Sequence, residues 1–274
     1  MPAAIRRKSS CAFTLVELLF VLGIVATLMG VLVPVLGRAR VQAKATTELA
    51  ATRQLLFAYL NYANENRGTL LPGHVTYDPK LVDDLGDPLT PSEAGKRWPW
   101  RLVRSLQNKL WGTILVGSQA EALKDRSIPL WNYTVSLYPS FGLNYFNLGG
   151  DQTAAPSSQP GCITKLTKGR FDTRLIVFCS SRAVGSNGMA EGYFKVVPPT
   201  KSFEYSSSGW ALARYDLQGD PAAWGYVHPR YFGRAVVGLL DGHSELLPFE
   251  DLRDMTRWSE AAAEAGNPNW PGNP

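Results

Sequence analysis

The strongest constraint on this chain is an apolar run from residue 13 to residue 36, in which Glu17 is the only charged side chain. About 20 consecutive apolar residues are enough to cross the hydrocarbon core of a bilayer as an α-helix. The run therefore predicts one transmembrane helix. Three basic residues, Arg6, Arg7 and Lys8, precede it. By the positive-inside rule they orient the N-terminus toward the cytoplasm, so the rest of the chain is expected outside.

Two simpler interpretations of this run fit less well. A secretory signal peptide has an apolar region of about 7–15 residues that ends in a small-residue cleavage site, whereas this run is longer and is followed by Gly-Arg-Ala-Arg. A plain anchor leaves Glu17 unexplained, because an acidic side chain at the membrane centre costs about 2.5–3.5 kcal/mol. We expect its carboxylate to be satisfied only by a neighbouring chain or by snorkelling to the cytoplasmic interface.

Residues 12–19, Ala-Phe-Thr-Leu-Val-Glu-Leu-Leu, resemble the cleavage and methylation signature of type IV pilins and type II secretion pseudopilins. The basic leader and the unbroken apolar helix belong to the same signature. The resemblance implies that a prepilin peptidase cuts between Ala12 and Phe13 and methylates the amine of Phe13. It also implies that Glu17, fifth in the mature chain, pairs with the N-terminal amine of an adjacent subunit.

The same resemblance implies the partners and the location of the chain. The partners would be other pilin or pseudopilin subunits and an inner-membrane assembly platform. The chain would cross the bacterial inner membrane once, with a periplasmic or extracellular head, and would assemble into a filament or pseudopilus. Near the C-terminus, Gly-Arg-Ala at 233–235 and Leu-Asp-Gly-His at 240–243 are similar to the Asp-Gly hairpin region of large pilin-like proteins.

The expected fold is α+β, with a long N-terminal helix packed on an antiparallel sheet. Residues 38–67 contain neither Pro nor Gly and carry apolar residues at helical spacing, which predicts an amphipathic helix that stops at Gly68. The predicted organisation is a leader at residues 1–12, a transmembrane and assembly helix at 13–36, a helical extension at 37–67 and a globular head at 68–274.

Within the head, strands are predicted at residues 174–179, 193–197, 235–240 and 243–247. The last two are joined by Asp241-Gly242, the sequence signal of a two-residue type I′ turn. A closing helix is predicted at residues 249–265, because Pro248 precedes it and Gly266 follows it.

Net charge is the one property that favours a nucleic-acid partner. The formal charge is +5, but three of the 28 basic residues precede the apolar run, and without them the charge falls to +2. No later segment is a basic run interleaved with aromatic residues, the pattern that nucleic-acid binding requires. We expect no nucleic-acid partner.

The cysteines leave two alternatives open. Cys11 would leave with the leader, and Cys162 and Cys179 would remain in the exported head. There they would form either a disulfide or two buried free thiols.

Residues for catalysis or metal binding are sparse. A nucleophilic Ser or Cys needs a supporting base, and none of the three histidines lies beside a nucleophile motif. His228, Asp241 and His243 are chemically suited to a transition metal, but their spacing matches no metal motif. We therefore expect no catalytic residue, no metal and no cofactor.

Two other functions remain as alternatives. The chain has eight tryptophans. If Trp98, Trp100, Trp210 and Trp224 lined one exposed groove, an anchored module could stack sugars or other ligands on them. An anchored hydrolase is the enzyme-class alternative.

Overall fold

The computed structural model describes residues 14–155, 159, 161–166, 173–185, 188–199, 210 and 214–270. Contacts divide the chain into two compact units, residues 1–43 and residues 44–274. The fold class is α+β, as the sequence predicts.

The longest element is helix α1, which spans Leu15–Glu65 and continues through Pro34. This confirms the prediction of one continuous helix. Its end is closed by backbone geometry: Arg67 has φ 55°, Gly68 has φ 78°, and the Gly68 N–H donates to the Ala63 carbonyl at 2.7 Å. Such a bond satisfies a carbonyl of the last helical turn. The stop predicted at Gly68 is therefore confirmed.

The strands of the head are β1 Phe141–Leu143, β2 Ile176–Ser180, β3 Ala183–Gly185, β4 Gly188–Ala190, β5 Arg234–Leu239 and β6 Ser244–Pro248. The main sheet is antiparallel and has four strands in the order β1-β2-β5-β6. A separate ribbon pairs β3 with β4. The remaining α-helices are short: α2 Trp98–Leu102, α3 Gly117–Ala122, α4 Trp131–Leu137 and α5 Glu260–Ala265.

The part of α1 that belongs to the head packs on one face of this sheet. The rings of Tyr59 on α1 and Phe178 on β2 meet edge to face at 5.7 Å. At Gly238 on β5, an added Cβ would lie 2.7 Å from Cγ2 of Thr52 and 2.9 Å from Cδ1 of Leu56. Glycine therefore sits in this strand because the helix crosses too closely for any side chain.

The opposite face of the sheet carries a second apolar layer. Alternate residues of β5 point into it, as expected for the two-residue period of a strand. The C-terminal segment covers this layer with Leu252, Met255, Trp258 and Ala262.

Two predicted elements of the head are wrong. Residues 193–197 make only a bridge between Lys195 and Leu143 rather than a strand. Residues 249–265 hold two 3-10 turns, and only α5 is α-helical. Asp254 interrupts the segment, because its backbone is extended and its carboxylate caps the N–H of Thr256.

The hairpin of β5 and β6 is confirmed, but its turn is not type I′. Leu239 N–H donates to the His243 carbonyl at 2.8 Å, which leaves a three-residue loop. A type I′ turn needs positive φ at both central residues, whereas only Gly242, at 93°, has it here. Asp241 instead accepts the His243 N–H at 3.0 Å, which favours the longer loop.

Candidate assembly site: the exposed apolar helix

The first part of α1 exposes its apolar side chains on every side. Within the described residues, none of its most apolar 18-residue window is buried. Leu15 is 79% exposed, Phe20 70% and Val33 68%. By length and composition this helix can cross a membrane. Such a surface is stable only when lipid or other apolar helices cover it.

Glu17 begins this helix and is hydrogen-bonded locally. Its Oε2 accepts the Thr14 N–H at 2.9 Å and the Thr14 hydroxyl at 2.8 Å, while the Glu17 N–H donates to Thr14 Oγ1 at 3.2 Å. This reciprocal pair is a capping box, which satisfies N–H groups that a helix start leaves open. Glu17 Oε2 is therefore satisfied within the chain, contrary to the expectation that only a neighbouring chain or the interface could do so, and pairing of the Glu17 charge with a neighbouring subunit stays a prediction. The spacing Thr-x-x-Glu was the sequence signal for it.

Ala12 and Phe13, the expected cleavage and methylation residues, lie outside the described residues. Processing at this bond stays a prediction.

Further along the apolar helix, Gly23 and Thr27 line a shallow groove of about 520 Å³ together with larger apolar residues. The Thr27 hydroxyl donates to the Gly23 carbonyl at 2.8 Å. This polar group is thus satisfied within the helix, as a hydrocarbon surrounding requires.

In the head, Glu48 of α1 forms a buried ion pair that the sequence did not reveal. Its Oε1 lies 3.4 Å from Nη1 of Arg230, and both side chains are less than a tenth exposed. Ser180 donates to Oε2 of Glu48 at 3.2 Å. Arg230 also donates to the carbonyls of Ser140 and Ser181. The pair connects α1 to the end of β2 and to the segment that precedes β5.

His228, Asp241 and His243 do not act as one metal site. His228 is buried, and its Nδ1 has no hydrogen-bond partner among the described residues. Burial, then the positive charges of Arg230 and Arg182, lower its pKa to about 2. Asp241 and His243 pair with each other in the hairpin loop at 2.8 Å. The described residues contain no group of three His, Cys, Asp or Glu placed to hold a metal ion.

The two head cysteines are free thiols in the structure, so the disulfide alternative is not realised. Cys179 is fully buried in the apolar layer under the C-terminal segment. Cys162 is half-buried, and its Sγ lies 3.8 Å from the Tyr145 carbonyl. Burial raises the pKa of Cys162 to about 12 and also raises that of Cys179. Both are therefore weak nucleophiles near neutral pH.

The four tryptophans of the ligand-binding alternative do not form an exposed groove. Trp98 and Trp100 are at most 1% exposed, and Trp210 and Trp224 are 6% and 5% exposed. The indole N–H of Trp98 donates to the Phe194 carbonyl at 2.6 Å. These side chains serve as core residues, which removes the observation on which that alternative depended.

No family model, curated protein or solved structure matches this chain.

Proposed function

We propose that this chain is a pilin-like or pseudopilin-like subunit, processed by a prepilin peptidase and assembled through its apolar N-terminal helix into a filament or pseudopilus. The observation that carries the proposal is the helix that starts at Leu15, apolar on all sides, with none of its most apolar window buried in the described chain. Its exposed surface needs an apolar partner, and a bundle of identical helices supplies one.

Glu17 gives this proposal its specific chemistry. The Thr14 groups that donate to Oε2 are neutral, so they supply no cation to pair with the charge of an ionised Glu17 carboxylate. Buried in a helix bundle, that charge would be costly unless a cation met it. The new N-terminal amine of a neighbouring subunit's Phe13 is the cation that the resemblance supplies, and the pair would set the axial register between subunits.

Two variants separate capping from charge pairing. Glu17→Gln keeps an acceptor for Thr14, since Gln also serves in capping boxes, but it removes the charge. Thr14→Ala removes the cap at a cost of about 0.5–2 kcal/mol to the helix start and keeps the charge. We expect Glu17→Gln to abolish filaments and Thr14→Ala to retain them, measured by electron microscopy of cells that produce each tagged chain. Normal filaments from Glu17→Gln would reduce Glu17 to a helix cap.

Processing provides a second, independent test. Mass spectrometry of the mature chain from membranes should show a sequence that begins at Phe13 with a methylated amine. Glu17→Gln should show the same terminus, because its defect lies in assembly. A chain that retains Met1 in membranes would contradict the proposal.

A further inference from the structure

A basic groove lies on the outer side of α1 in the head, and no described residue fills it. It has a volume of about 310 Å³, and its lining includes Arg53, Phe57, Gln107 and Lys109. Phe57 is 65% exposed, unusual for a large aromatic residue on a packed helix. Neither Arg53 nor Lys109 has an ion-pair partner among the residues that the structure describes. The groove therefore presents the exposed ring of Phe57 beside two cations that have no ion-pair partner among the described residues.

One wall of this groove is fixed in a costly backbone conformation. Gln107 and Asn108 are consecutive non-glycine residues with φ 55° and 61°. The Asn108 N–H donates to the Val103 carbonyl at 2.9 Å, which holds this turn in place. Residues in this region cost about 1–3 kcal/mol each and persist where the surrounding structure fixes them. The groove is thus preformed rather than created when a partner arrives.

A complementary knob lies on a different loop of the same head. Leu85 is 68% exposed at the tip of a tight turn. Asp83 Oδ1 accepts the N–H groups of both Leu85 and Asp87, at 2.9 and 3.0 Å. Gly86, at φ 96°, completes the turn. The loop therefore presents a leucine on a rigid support, with the exposed carboxylate of Asp87 beside it.

We infer that the Leu85 loop of one copy docks in the Phe57 groove of a second copy of this chain. In this contact Leu85 packs on Phe57, and the carboxylate of Asp87 lies beside the cations of Arg53 and Lys109. Because knob and groove are different surfaces, the contact is heterologous and can repeat from copy to copy as an open array. Both surfaces are preorganised, which reduces the entropy lost on docking.

This contact is too small to hold two copies together without a second contact between them. A single side chain in one groove buries far less than the roughly 1,200–2,000 Å² of a stable interface. The inference therefore rests on the proposed function in one respect, since assembly through the helices raises the effective concentration of neighbouring heads.

Cysteine cross-linking of two differently tagged full-length copies in one membrane tests the contact. One copy carries Phe57→Cys and the other Leu85→Cys, and a short bifunctional maleimide joins them. Leu130, 59% exposed, provides the matched control as Leu130→Cys. The native thiols of the head react slowly because burial raises the pKa of both, and copies without a new cysteine set the background. We expect the Phe57–Leu85 product to exceed the Phe57–Leu130 product severalfold.

A charge swap tests the choice of partner. Lys109→Glu and Asp87→Lys should each lower the cross-link about two- to fivefold, the effect of one exposed ion pair, and their combination in the same chain should restore it. Equal cross-linking by the Leu130 control, or no recovery in the double variant, would overturn the inference. If filaments form normally but the Phe57–Leu85 cross-link does not, the head contact is refuted and the proposed function stands.

Discussion

The two ends of helix α1 differ in how their side chains are buried. From Leu15 through the apolar run, the side chains are apolar all round and none is buried. From Lys44 onward the helix is more polar, yet one face is buried at steps of three and four residues. That face consists of Ala45, Glu48, Ala51, Thr52, Leu55, Leu56, Ala58, Tyr59 and Ala63.

Apolarity alone does not place a helix inside its own protein. The second stretch has a partner sheet, so it buries even a carboxylate and a hydroxyl. Glu48 accepts the Ser180 hydroxyl of β2, and the Thr52 hydroxyl donates to the Glu48 carbonyl within the helix. The first stretch has no such sheet among the described residues, and its uniform apolarity suits a surrounding without direction, such as lipid. The fluorescence of the eight tryptophans reports unfolding of the head alone, because all of them lie at or after Trp98.

The largest effect is expected at Glu48. Glu48→Gln removes the buried charge partner of Arg230 and leaves only the half-exposed Glu191, and removing one member of a buried pair costs about 3–5 kcal/mol. Urea unfolding of the full chain in detergent, followed by tryptophan fluorescence, measures this. Glu191→Gln removes the more exposed partner of Arg230 and should cost at most about 1 kcal/mol. Equal losses in the two variants would show that burial of the Glu48 pair is not what matters.

An intermediate effect is expected at Gly238. Gly238→Ala forces a methyl group against Thr52 and Leu56 and should cost about 1–3 kcal/mol by overpacking. Gly23→Ala, where nothing lies within 4 Å of the added methyl group, is the matched change in the exposed stretch. It should leave the unfolding of the head unchanged. A head equally stable with Gly238→Ala would mean that α1 can move away from the sheet.

The smallest effect is a dependence of head stability on pH. An unfolded histidine titrates near 6.5, about the normal value, whereas the folded pKa of His228 is about 2. Between these values the unfolded chain binds a proton that the folded chain does not, so stability is complete above about pH 6.5 and falls as the pH drops toward 2. From about pH 7.5 to about pH 5.5 the loss from this side chain is about 1.4 kcal/mol.

His228→Gln tests the assignment of this pH dependence. Burial also lowers the pKa of His74, so some slope should remain in the variant. The difference in slope between the two proteins belongs to His228. Identical slopes in tryptophan-monitored urea unfolding at the two pH values would show that His228 is not responsible.

Local sequence signals predicted the long elements well. The 3.6-residue periodicity after residue 38 predicted the second half of α1, and short apolar runs bounded by turn signals predicted β2, β5 and β6. The prediction of a closing helix at residues 249–265 was wrong because one residue, Asp254, caps a new turn in the middle of the segment. Thr14 was missed although its spacing to Glu17 is a known helix-start pattern.

Other features depend on pairing between distant segments and have no local signal. Nothing near Glu48 in the sequence indicates that Arg230 will neutralise it. The exposure of Phe57 and Leu85 likewise follows from which faces the tertiary packing leaves open.

The buried pair of Glu48 and Arg230 also constrains the order in which this protein can mature. Synthesis proceeds from the N-terminus, so Glu48 is made long before Arg230, and before Ser180, which lies 132 residues further on. Until the C-terminal part of the chain exists, Glu48 lacks its Arg230 partner, and β5, one of the two central strands, is missing from the sheet. The sheet and this ion pair can therefore be completed only late in synthesis. Chains that stop short of β5 should be recognised as unfinished and degraded.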